Sequence, residues 1–343
     1  MPPKMNNQAK SLARVMQRSF VRLVSVVLLV VLLAAVIWLP FNLTTIRDEF
    51  ILLNYQPPAA VAALARQDGL TNYAKTLFYV NRPAILNKTD FAKQCPNRLE
   101  QSYVIGCYHS GDNGIYLLDV TDPRLNGIVA VTAAYEMLHA GYARLSGSER
   151  TYLDSLMWNY YQTSVSSPEI HQQMSAYAKT EPGAKYDELY SVLATEVASL
   201  PPQLETHYRL YFQNRQAIVK TYDGYEAEFT RRQQAIATYD SELSTLNGQI
   251  QSQEAKLNSL QSSINAQSAS LQNLLNAGNY ATYNSQIPGY NAQVNTYNNL
   301  LAQTKAQISE YNNLVGERNS LVLEEQQLVQ AINSSSLPNL PTK

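Results

Sequence analysis

Residues 131–142, VTAAYEMLHAGY, are the stretch around which the rest of the chain is organised. Apolar side chains recur here at intervals of three and four, which predicts a helix with one buried face. That face consists of Ile128, Val131, Tyr135, Leu138, Tyr142 and Leu145. Tyr135 lies on the stripe, with Glu136 beside it and His139 one turn further on. In the simplest interpretation Tyr135 packs in a core, Glu136 is solvated and His139 is incidental, because so short a pattern often arises by chance.

The stretch also resembles the active-site helix of zincin metallopeptidases. In that family two histidines four residues apart bind zinc, and the glutamate after the first histidine polarises the attacking water. Glu136 and His139 stand where the glutamate and the second histidine belong, whereas Tyr135 replaces the first histidine. The resemblance covers residues 95–200 and implies an α+β zincin-like domain whose metal site has lost one ligand. We expect this domain to have a short β-hairpin or sheet and the chain to be mostly helical overall.

The third zinc ligand of glutamate-type zincins is a glutamate on a later helix, and Glu196 matches that role in kind. The helical stripe of residues 187–200 consists of Leu189, Val192, Leu193, Glu196 and Leu200. A glutamate on a buried face needs a cation, a hydrogen-bond partner or a metal. An ion pair between Glu196 and Arg144 is an equal alternative, and Glu188 is a weaker candidate for the metal position.

The replacement of the first histidine predicts impaired catalysis. Catalytic zinc usually keeps three protein ligands, and Tyr135 could coordinate only as a phenolate, against a free pKa near about 10. His109 is a possible substitute ligand. The sequence therefore predicts a pseudo-peptidase that acts as a binding module, with no cofactor at high occupancy. One alternative is an active zinc peptidase with Glu136 as general base and His139 and Glu196 as ligands.

Two β-rich runs precede the motif helix, residues 103–105 and 115–118, and the glycine-rich stretch between them predicts a hairpin. The resemblance implies that an edge strand of this pair runs beside the site and holds an extended peptide. Cys95 and Cys107 are the only cysteines, and we expect a disulfide between them. A cysteine zinc site is the alternative, but the paired C-x-x-C spacing is missing.

Residues 23–41, LVSVVLLVVLLAAVIWLPF, carry no charge and predict a transmembrane helix, because such a segment spans roughly 30 Å of hydrocarbon. Basic residues without an acidic one precede this run, so the positive-inside rule places residues 1–22 in the cytoplasm as a basic tail. The zincin-like domain, residues 42–200, would then lie outside the cytoplasm of a single-pass protein of the cell membrane. A cleaved signal peptide is the competing interpretation, but no small-x-small cleavage site follows.

Residues 201–332 predict a long antiparallel coiled-coil hairpin. One heptad register runs from Leu204 to Leu274, with Arg215 as a polar exception, and a second runs from Ile287 to Val329. Gly278 and Pro288 predict the turn, at residues 276–288. The tail, residues 333–343, is expected to be disordered.

The predicted arm is either a spacer or a surface for partners. Few charged residues flank the apolar positions, so homo-oligomerisation through the coiled coil is open. A formal net charge of -1 gives no basic excess for nucleic acid. The sequence thus favours an extracytoplasmic protein or peptide as partner, and an envelope spacer or scaffold, in which the motif is a coincidence, is the remaining alternative.

Overall fold

The computed structural model describes residues 7–95, 104–111, 114–180 and 183–333. The helices are α1 (Asn7–Leu53), α2 (Ala59–Gln67), α3 (Asn72–Val80), α4 (Lys88–Gln94), α5 (Ile128–Ala143), α6 (Gly147–Ser164), α7 (Pro168–Thr180), α8 (Lys185–Glu196), α9 (Pro202–Tyr208), α10 (Arg215–Asn276) and α11 (Tyr280–Ile332). The strands are β1 (Ala84–Leu86), β2 (Gly106–His109) and β3 (Gly114–Leu118). We call α2–α9 with the sheet the head, and α10 with α11 the arm.

The predicted fold class, an α+β zincin-like domain with an N-terminal transmembrane helix, is wrong. Most of the described chain is helical, and its three strands have only three to five residues each. So small a sheet cannot form a layer of the core, which helices build instead. Residues 23–41 lie within α1, which continues through Asp48 and docks on α3. No helix within the described ranges is long and apolar enough to cross a membrane, so the transmembrane prediction is not supported.

The sheet has the strand order β1-β3-β2, with β1 parallel and β2 antiparallel to β3. The predicted strand pair thus corresponds to β2 and β3, although β2 begins at Gly106, just after the run predicted from the sequence. β1 was not predicted, because its three residues are too few to show alternation. In this order β2 forms one edge of the sheet.

Helix α5 is the centre of the head, and thirteen of its sixteen residues are buried. It packs against α8, α2, α3 and the sheet. A helix that is apolar on nearly every side belongs in a core, and here the burial extends beyond the predicted stripe. Gly141 allows the ring of Tyr211 to approach, since a Cβ there would lie 2.9 Å from its Cε1. The solvated position expected for Glu136 in the simplest interpretation is therefore not found.

The helix predicted to start at Pro201 is broken into α9 and α10. Arg215, the polar exception in the heptad register, begins α10 and is buried. Its guanidinium donates to the backbone carbonyls of Leu193, Ala194, Val197 and Ala198 and to the Glu205 carboxylate. These carbonyls at the end of α8 have no partner in their own helix, so the arginine fixes the base of the arm to the head.

The long helices α10 and α11 pack against each other along their length. Arg232 pairs with Glu324, Asp240 with Arg318, and Gln253 with Thr304, so the helices run in opposite directions. The turn comprises only residues 277–279, because Gly278 adopts a φ of 74° and Pro288 is accommodated inside α11. Leu328 and Ile332 return to the core of the head. Residues 334–343 of the predicted disordered tail lie outside the described residues.

Candidate functional site

The candidate site lies where β2 crosses α5. Helix α8 also packs against α5. Gly106 of β2 rests directly on α5, since a Cβ there would lie 2.4 Å from Thr132 Cγ2 and 2.7 Å from Glu136 Oε1. Only glycine permits this approach without displacing a neighbour. The backbone of β2 is therefore in contact with the motif residue Glu136.

Glu136 is 6% exposed, and no described residue donates a hydrogen bond to its carboxylate. Burial raises the pKa of Glu136 to about 8, and the charges of Glu188 and Asp187 add to the rise while His139 opposes it. A buried acid without a donor is unfavourable in its charged form. Glu136 is thus a nearly buried acid that lies directly below an edge strand.

His139 is held between two carboxylates of α8. Its Nδ1 lies 2.8 Å from Asp187 Oδ1, and its Nε2 lies 3.9 Å from Glu188 Oε2. Burial alone would lower the pKa of His139, but the hydrogen bond and charge of Asp187, with Glu188 and Glu136, raise it to about 10. The imidazole is therefore protonated at neutral pH and serves as a cation within the cluster.

Tyr135 completes the cluster from the position of the missing histidine. Its hydroxyl donates to Glu188 Oε2 at 2.6 Å, and its ring meets the His139 ring edge-on at 5.2 Å. Burial, followed by the charge of Glu188, raises the pKa of Tyr135 well above its usual value. The phenol is therefore a hydrogen-bond donor, and its deprotonation is strongly disfavoured.

Glu196 lies at the end of α8, two turns beyond Glu188, and no contact joins it to His139. Gln173 Nε2 lies 3.4 Å from its Oε1, and the Tyr222 hydroxyl is a further hydrogen-bonding neighbour of the carboxylate. Burial raises the pKa of Glu196 to about 7. Arg144, the alternative partner expected from the sequence, instead pairs with Asp48 of α1. The structure thus brings Glu136 and His139 together with Glu188 rather than with Glu196.

The donor set does not fit the zinc centre that the resemblance implies. Of the expected ligands His139, Glu188 and Glu196, only the first two face each other. The Glu188 oxygen nearest the imidazole is already bonded to the Tyr135 hydroxyl. Across the described ranges, no three His, Cys, Asp or Glu side chains are arranged to hold a metal ion. Catalytic zinc needs three protein ligands and an open position, which this hydrogen-bonded cluster does not offer.

The neighbouring cysteines are joined, since Cys95 and Cys107 form a disulfide between the end of α4 and β2. His109, the possible substitute ligand, lies 3.5 Å from Cys107 Sγ through its Nε2 and packs edge-on against Tyr116. The imidazole of His109 is therefore in contact with the disulfide and with Tyr116.

Comparisons with protein-family models, curated proteins and solved structures found no match to this chain. The zincin resemblance therefore depends on the motif residues alone.

The free edge of β2 carries unpaired backbone groups. The Leu118 amide donates to the Ile105 carbonyl, so in an antiparallel ladder Cys107 and His109 also face β3. The N–H and C=O groups of Gly106 and Tyr108 then point away from the sheet. Within the described chain no backbone group pairs with them. Among the described residues, no other strand pairs with the edge above Glu136.

Sequence reasoning did not assign roles to Asp187 or Gly106. Glu188 could have been ranked higher, because Glu188, Val192 and Glu196 are spaced four apart and share one face of α8. Asp187 carried a weaker signal, an acidic residue in the first turn of a helix, where it is common for electrostatic reasons. Gly106 gave no signal, since a glycine in a strand is usually a bulge or a bend.

Proposed function

We propose that the head is a peptide-binding module, in which an extended segment of another polypeptide pairs with the free edge of β2 above Glu136. The observation that carries this proposal is the nearly buried Glu136 carboxylate, which receives no hydrogen bond from a described residue and lies against Gly106 of the edge strand β2. A group buried in this way is costly unless a partner arrives to satisfy it.

Pairing with a sheet edge is a common way to bind an extended peptide, because main-chain hydrogen bonds supply affinity and side-chain pockets supply selectivity. Exposed strand edges are otherwise covered or shortened, since they invite aggregation. β2 is short, and its backbone is partly buried between α5 and β3. These features suit a docking edge of limited length.

A binding role agrees better with the cluster than hydrolysis does. Tyr135, His139 and the carboxylates of α8 bond to one another and fix α5 against α8. The α10 helix of the arm is about 90 Å long and would separate the head from the tip of the hairpin by about that distance. The disulfide supports the prediction that the head lies in an oxidising compartment outside the cytoplasm.

The test uses a matched pair of substitutions at Tyr108. Tyr108→Pro removes the outward amide, which makes no hydrogen bond to β3, while Tyr108→Ala removes the side chain and keeps the amide. Full-length protein is screened by fluorescence anisotropy against a library of short extended peptides. We expect Tyr108→Pro to abolish binding and Tyr108→Ala to retain most of it.

Equal binding by both variants, with thermal melting unchanged, would show that β2 is not the docking edge. Absence of binding to any member of the library would contradict the proposed function itself.

A further inference from the structure

We infer that Cys107 and Cys95 form a thiol–disulfide exchange site for small external disulfides, in which Cys107 is the reacting cysteine, His109 moves its proton and Cys95 resolves the product. This inference goes beyond the proposed peptide binding and is independent of it. It starts from the unequal surroundings of the two sulfur atoms and from the imidazole that contacts one of them.

The period of β2 brings the imidazole to the disulfide. Side chains two residues apart in a strand point to the same face of a sheet, so His109 shares a face with Cys107, opposite to Gly106. The structure agrees with this alternation, because Gly106 lies against α5 while His109 Nε2 lies 3.5 Å from Cys107 Sγ. Tyr116, the residue that pairs with Cys107 on β3, packs edge-on against the imidazole at 5.5 Å. The imidazole is thus held beside the sulfur.

The two sulfur atoms differ in accessibility. Cys95 is 3% exposed and belongs to a small apolar cluster with Phe91 and Leu118. Cys107 is only partly buried, and it lies on the edge strand of the sheet. An external sulfur atom therefore reaches Cys107 more readily than Cys95. Because the exposure of Cys107 is partial, a small disulfide fits this position better than a disulfide on a folded protein.

His109 is the basic group in contact with Cys107. Among the described residues, the other polar neighbour of Cys107 Sγ is the Gln94 carbonyl, 4.0 Å away at the end of α4. A carbonyl at the end of a helix disfavours a thiolate. Lys93, the basic residue in the last turn of α4, pairs with Asp90. A histidine beside a cysteine favours the thiolate, so the reactivity of Cys107 should depend on His109.

The reaction consists of two exchanges that balance. In the reduced chain the Cys107 thiol gives its proton to His109, and the thiolate attacks one sulfur of an external disulfide, RSSR. A mixed disulfide forms on Cys107, and the first RSH leaves with the proton from the imidazole. The Cys95 thiol then attacks Cys107 Sγ, and its proton leaves with the second RSH. The chain loses two electrons to RSSR and closes the Cys95–Cys107 disulfide seen in the structure.

The experiment uses two matched variants of the full chain, Cys95→Ser and Cys107→Ser, each of which keeps one thiol. Alkylation by iodoacetamide is followed by mass spectrometry as a function of pH. We expect Cys107 to react in the folded protein and Cys95 to react only after unfolding in urea. His109→Gln, added to Cys95→Ser, should shift the pH profile of Cys107 upward by about one unit and slow alkylation at pH 7 about tenfold.

Oxidised glutathione tests the exchange itself. Cys95→Ser should keep glutathione as a mixed disulfide on Cys107, because the resolving thiol is missing, whereas the reduced unmodified chain should release it and close its own disulfide. If circular dichroism shows that Cys95→Ser is unfolded, the first site alkylated in the reduced unmodified chain makes the same comparison. Faster reaction at Cys95, or a pH profile that His109→Gln leaves unchanged, would overturn the inference.

Discussion

The arm and the head handle their charged groups in opposite ways. Along the arm, Arg232 forms an ion pair with Glu324, and Arg318 forms one with Asp240. These charged groups of α10 are therefore paired with opposite charges on α11. In the head, Glu136 is more deeply buried than any of these, and no described residue donates a hydrogen bond to it. These arm charges are thus paired within the described chain, whereas Glu136 in the head receives no hydrogen bond from a described residue and lies against the edge strand β2. The contrast separates a supporting element from a binding element.

The largest effect is expected where the two regions join. Arg215→Met removes a buried guanidinium from the carbonyls at the end of α8 and leaves Glu205 unpaired. Loss of one partner of a buried ion pair typically costs about 3–5 kcal/mol. We expect a fall of that size in the free energy of unfolding, measured by urea denaturation.

The matched control is Arg232→Met in the arm, because the Arg232 side chain is more exposed than that of Arg215 and its partner on the other helix, Glu324, is 46% exposed. A decrease below about 1 kcal/mol is expected there. Similar losses in both variants would remove the distinction between the junction and the arm.

The next effect concerns pH. An acid whose pKa is higher in the folded protein is destabilising wherever the unfolded chain is already ionised. Glu136, with a pKa raised from 4.5 to about 8, therefore lowers stability progressively as pH rises through that interval. His139, raised from 6.5 to about 10, stabilises fully below 6.5 and loses this contribution as pH rises to 10. Both groups predict a free energy of unfolding that falls from pH 5 to pH 10.

Glu136→Gln should remove the part of this fall below pH 8. The gain relative to the unmodified protein should be small at pH 5 and reach up to about 4–5 kcal/mol at pH 8, since each pKa unit between 4.5 and about 8 corresponds to about 1.4 kcal/mol. Urea unfolding at several pH values measures it. Glu310→Gln, at an exposed position on α11, is the control and should leave the pH profile unchanged. A profile unaltered by Glu136→Gln would mean that Glu136 is satisfied in solution.

A smaller effect is expected at the contact between β2 and α5. Gly106→Ala introduces a Cβ within 2.4 Å of Thr132 Cγ2, and such overpacking costs about 1–3 kcal/mol. Gly111→Ala is the control, because nothing lies within 4 Å of its added Cβ. Thermal melting should separate the two variants. Equal melting temperatures would show that β2 does not press on Glu136.

The arm could largely be predicted from the sequence, because its heptad pattern of apolar residues repeats many times. Positions from Ile218 to Leu274 that were assigned to the seam are partly or fully buried. The helix ends at Arg215 and near Pro288 were predicted wrongly. Arg215 begins a new helix because of its tertiary contacts, and α11 contains Pro288 without ending there, and the heptad pattern shows neither. The predicted self-association through the arm stays a prediction, although these apolar positions are packed within the chain.

Only part of the candidate site could be predicted from the sequence. The motif indicated Glu136 and His139 because both lie on one helix, and local spacing determines their neighbourhood. The partner on α8 depends on how two helices pack, so Glu196 and Glu188 could not be distinguished by pattern. The proximity of Gly106 depends on a strand that crosses α5, and no local period encodes such a crossing.

The most direct test of the open edge is amide hydrogen exchange, measured residue by residue with and without a bound peptide. Pairing along β2 should slow exchange at Gly106 and Tyr108, whose amides point outward, and leave Cys107 and the arm unchanged. Protection confined to other residues, with Gly106 and Tyr108 exchanging as before, would contradict the account.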